Sequence, residues 1–125
     1  MKYNVEVSRD ANSPNNIVSL RLAGGEPFIR LQVSFDKNTF ANAEIEIMSD
    51  PALAKQISSK LLDKKEQQPT FKDAQVYKIN GMDEVNTVLH ILTTQRKDIE
   101  PSAMQEFATM LQEGIKSKRG RSLSA

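Results

Sequence analysis

With 125 residues, the chain is long enough for one hydrophobic core and too short for two independent ones. It has no cysteine, which excludes disulfides, thiolate metal sites and cysteine nucleophiles and points to a cytoplasmic location. The 17 basic and 16 acidic residues nearly cancel, but Lys116, Lys118, Arg119 and Arg121 sit together near the end; without them 13 basic residues face 16 acidic ones, a net charge of −3 over residues 1–114, which argues against a nucleic-acid surface spread over the whole fold.

The first stretch, MKYNVEVSRD, lacks a signal-like apolar run, and no segment approaches the roughly 20 apolar residues of a membrane span, so a soluble protein without a membrane partner is expected. Four segments then alternate with period two: Tyr3-Val5-Val7, Val18-Leu20-Leu22, Ile29-Leu31-Val33-Phe35 and Ile45-Ile47. Each reads as a half-buried strand. Turn chemistry separates them at Arg9–Asn16, at Gly24-Gly25-Glu26-Pro27 and at Asp36–Asn42.

An antiparallel meander that keeps one face apolar sets Val5, Leu20, Leu31 and Ile47 side by side, with Val7, Val18, Val33 and Ile45 as the next row. The opposite face then shows Glu6, Ser19, Gln32 and Glu46 in one row and Asn4, Arg21, Arg30 and Met48 in the next, with Phe28 beyond. Arg21 and Arg30 become cross-strand neighbours, an arrangement that destabilises unless something offsets it.

Ser49-Asp50-Pro51 starts a helix expected to run to about Lys64, with Leu53, Ile57 and Leu61 as its stripe and Ala54 and Leu62 beside it. Lys64–Lys72 reads as a polar loop and Ala74–Ile79 as a fifth strand ended by Asn80-Gly81. Met82, Val85, Val88, Leu89 and Leu92 mark a second helix to about Lys97, and Ala103, Met104, Phe107, Ala108, Leu111 and Ile115 a third, which Pro101 opens and Gly114 weakens. The expected fold is α+β: a four-stranded antiparallel meander, a helix, a fifth strand and two C-terminal helices packed on one sheet face. It forms one domain over residues 1–115, followed by a basic, disordered tail, Lys116–Ala125.

Chemistry is sparse. His90, the one histidine, shares a helix face with Asn86, Thr94 and Lys97 and points to solvent, which leaves a serine–histidine pair or a zinc site of usual make-up without partners. Gly24-Gly25 lacks a Walker lysine and joins two strands, as a hairpin turn does. Glu44 and Glu46 alternate with Ile45 and Ile47, the pattern of a solvated strand face. No catalytic residue, cofactor or metal is therefore expected. The leading expectation is a non-catalytic interaction module that binds a partner protein through the polar sheet face, with Arg21, Phe28, Arg30 and Met48, or through the tail, with Lys116, Lys118, Arg119 and Arg121. The alternatives are a nucleic-acid-associated protein using the tail with Arg21 and Arg30, and a small-molecule binder or unusual enzyme.

The order of elements from Ala43 to Ile115 resembles the later part of the αββαββα layout of LAGLIDADG homing endonucleases. Their defining helix with its metal-binding acid is missing, and Arg21-Leu22-Ala23-Gly24-Gly25 reads as strand and turn, so the sequence alone places the chain in no family.

Overall fold

Alternation in the first half and helical periodicity in the second produce two layers, a sheet and the helices on one of its faces. The computed structural model describes residues 4–10, 15–24, 28–62, 66–67 and 73–124, with side chains at 4, 15, 66, 67 and 115–124 excepted. The strands are β1 (Asn4–Asp10), β2 (Asn15–Ala23), β3 (Phe28–Asp36), β4 (Thr39–Met48), β5 (Glu66–Gln67) and β6 (Gln75–Ile79). They pair antiparallel in the order β1-β2-β3-β4-β6-β5. The meander and the later strand are as the pattern predicts. The two-residue β5 falls where a loop was expected, too short for alternation to mark it.

The predicted faces hold, while the register of the outer strands differs by two residues. Leu20 meets Leu31 and Val18 meets Val33 as expected. However, Val7 rather than Val5 stands beside Leu20, and Ile45 rather than Ile47 beside Leu31. A slip of two keeps every side chain on its own face, so apolar patterning alone cannot detect it. The β3–β4 hairpin sets the offset of β4. It closes through Lys37 and Asn38, both at positive φ (53° and 70°), and Ala41 is left unpaired between the pairs Phe35–Phe40 and Ser34–Asn42. That extra residue returns Ile45 and Ile47 to the apolar face, which a regular two-residue hairpin would have turned outward.

Helices α1 (Pro51–Ser58), α2 (Met82–Gln95) and α3 (Pro101–Ser124) follow. α3 crosses β1 to β4, α1 rests on β4, and α2 touches both other helices. Val88, Leu92, Phe107 and Ile57 are fully buried together with Leu31, Phe35 and Ile45 of the sheet, and this apolar burial is the main stabilising term. Gly114 is more than a weak helix former: a Cβ there would lie 2.8 Å from Cε2 of the buried Phe35, so the residue permits α3 to meet β3 closely.

α1 is shorter than expected. The Ser58 and Ser59 hydroxyls donate to the carbonyls of Lys55 and Gln56 (3.1 and 2.7 Å), and the amides of Lys60 and Leu61 donate three residues back, tightening the chain out of the helix. Leu61 then enters the core while Leu62 is left 84% exposed. The amides of Leu62 and Asn80 both donate to Glu84, one to each carboxylate oxygen, at 2.6 Å. The latter contact ties the residue before the N-cap to the first turn of α2, whose N-cap, Gly81, has no side chain to cap the helix itself. At the other end of the helical layer Arg96 pairs with Asp98 and with Asp50, the N-cap of α1.

Candidate functional site

The register places two mixed rows on the second sheet face: Glu6–Arg21–Arg30–Glu46, and beside it Ser8–Ser19–Gln32–Glu44–Lys78. Arg21 and Arg30 are cross-strand neighbours, as predicted. The two-residue offset brings an acid directly beside each of them, where the expected row put Asn4 and Met48.

The two arginines have opposite fates. Arg30 is gripped from three sides. Its Nη2 donates to Glu44 Oε2 at 2.7 Å and to Glu46 Oε1 at 2.9 Å, its Nε donates to the same Glu46 oxygen at 3.2 Å, and its Nη1 donates to Gln32 Oε1 at 2.7 Å. Burial alone would lower the pKa of the guanidinium. The hydrogen bonds and charges of Glu44 and Glu46 outweigh that effect and raise it above its ordinary value. Arg30 is therefore a fixed, internally neutralised cation.

Glu46 is fully buried, which corrects the reading of Glu44 and Glu46 as a solvated strand face. Phe28, Ala74 and Val76 are buried on the same face, so this end of it is covered. The signal was present in the sequence as apolar residues at second-face positions of two strands, but it became legible only once β6 was known to pair with β4.

Arg21 remains exposed. Glu6 stands opposite without forming an ion pair with it. The guanidinium carbon of Arg21 instead lies 5.5 Å from the centroid of the Phe28 ring, a cation–π contact that helps to offset the repulsion from Arg30. Met48 pairs with Phe28 and is half-buried. The sheet thus gathers Arg21, Phe28, Arg30 and Met48, with Phe28 serving as the bed for Arg21 rather than as an exposed contact. Lys116, Lys118, Arg119 and Arg121 belong to α3, and their side chains, which the expected tail site would use, are not among those described.

His90 is exposed, and no group of three or more histidine, aspartate or glutamate side chains among the described residues is arranged to hold a metal ion. No helix among them is long and apolar enough to cross a membrane. Gly24 adopts φ 97°, in keeping with its reading as a turn. Comparison with protein-family models, with curated proteins and with solved structures finds no match for this chain.

Proposed function

We propose that this chain is a non-catalytic interaction module, an adaptor, accessory or regulatory protein, that binds a partner protein through the second sheet face with Arg21 as its leading contact. The observation that carries this reading is the contrast within one row: Arg30 is consumed by Glu44, Glu46 and Gln32, whereas Arg21 is exposed and already ordered over Phe28. A guanidinium held on an aromatic ring loses little freedom when it meets a carboxylate, and its planar fork suits bidentate pairing. Met48 supplies half-buried apolar surface alongside, and arginine and methionine are both favoured at interfaces. The partner that fits presents an acidic side chain next to an apolar one.

Capture from native lysate, quantified by mass spectrometry, tests the proposal. Arg21→Gln is expected to reduce partner recovery severalfold while the unfolding midpoint stays unchanged. Recovery at the wild-type level would reject the face. Loss only on deleting residues 116–125, with binding that falls steeply as salt rises, would move the contact to the tail and favour nucleic acid.

A further inference from the structure

On the helical layer, away from the sheet face, a cavity of about 400 Å³ opens between α2 and α3. Its apolar wall is made by Leu89, Ile99, Pro101, Met104 and Ala108. A smaller recess of about 170 Å³ adjoins it through the shared residues Leu89 and Ala108 and extends the groove towards Met82 and Leu111, with Asn86 and Gln112 as its polar lining. The larger volume falls at the lower end of the range of small-molecule sites, roughly 300–1,000 Å³, and its lining has their character, largely apolar with few polar groups.

Those few polar groups define the occupant. Thr93 Oγ1 donates to the Leu89 carbonyl at 2.8 Å, and Gln105 Nε2 donates to Thr109 Oγ1 at 3.4 Å, so both have partners within their own helices. Lys97 is different: the residue is exposed, lines the cavity and has no ion-pair partner among the described residues. Asp98, next in the chain, is held by Arg96, and no acid lines the cavity. The larger cavity therefore combines an apolar wall with one unneutralised positive charge.

We propose that the groove between α2 and α3 binds a single-chain amphiphile carrying one carboxylate, its tail along Leu89, Met104 and Ala108 and its head on Lys97. Burial of the tail supplies most of the affinity, and the flexible Met104 side chain adapts to its shape. Lys97 selects an anionic head over a neutral one by a modest factor, because the ion pair is exposed to water. This site is independent of the sheet-face proposal and uses none of its residues.

The test uses the full chain, decanoate and 1-decanol as probes, and amide chemical shifts as the readout. Decanoate is expected to bind saturably below its micelle concentration, shifting Leu89, Thr93, Met104 and Ala108. 1-Decanol is expected to bind about two- to fivefold more weakly, the range of an exposed ion pair. Lys97→Met should abolish that difference, and Ala108→Trp should block both probes by filling the groove. Lys97 is exposed, so its replacement keeps the test valid even if Ala108→Trp does not fold. Shifts that do not saturate, shifts that map elsewhere, or a preference for decanoate that survives in Lys97→Met would each overturn the proposal. An apolar helical peptide that binds the groove when neither probe does would overturn it in favour of protein docking.

Discussion

On the face turned to the helices, the row Leu20–Leu31–Ile45, with the partly buried Val7 at its edge, is satisfied by burial, and any apolar neighbour of suitable size would serve. On the other face, the row Glu6–Arg21–Arg30–Glu46 must be satisfied charge by charge. A two-residue slip leaves the first face apolar, but on the second it changes which acid meets which arginine. In the register expected from alternation, Asn4 and Met48 would flank the arginine pair. In the observed one, Glu6 and Glu46 do, so the polar face carries the information that separates two registers the apolar face accepts equally.

The comparison can be broken at several points. Leu31→Ala, on the apolar face, is expected to cost about 2–5 kcal/mol in urea unfolding, since it leaves a cavity among fully buried neighbours. Glu46→Ala should cost about 3 kcal/mol, because it strips a guanidinium that is itself largely buried of one carboxylate. A loss below about 0.5 kcal/mol in thermal unfolding would mean that this end of the second face is solvated after all. Gly114→Ala should cost about 1–3 kcal/mol through the clash with Phe35, and the same change at a helical position open to solvent would stabilise instead. Arg21→Gln should alter stability by no more than about 1 kcal/mol, the scale of an exposed cation–π contact, so a lower guanidinium chloride midpoint well beyond that would show Arg21 to be structural rather than available.

The candidate site was half legible in the sequence. Period-two spacing put Arg21 and Arg30 on one face and adjacent, because side-chain parity along a strand is a local property and β2 and β3 keep the expected register. It did not disclose that Glu46 is buried or that Phe28 lies under Arg21, since both depend on contacts far apart in the chain. Helix α1 was overextended for a related reason: the serine back-bonds at its end are local, but the Glu84 carboxylate that receives the Leu62 amide comes from α2. The groove beside Lys97 could not be foreseen from either helix alone, as each contributes one wall.

Residue by residue, the sequence determined which side chains face the helices, where Gly24 turns the chain, that His90 is exposed, and the α+β order of elements. Each follows from dihedral preference or from alternation within a single segment. Tertiary structure alone decided the two-residue offsets, the neutralisation of Arg30 and the need for glycine at 114. Alternation fixes a strand only up to translation by two. The unpaired Ala41 removes that freedom between β3 and β4, whereas the carboxylates opposite the arginines and the approach of α3 to Phe35 exist only once more distant segments have met.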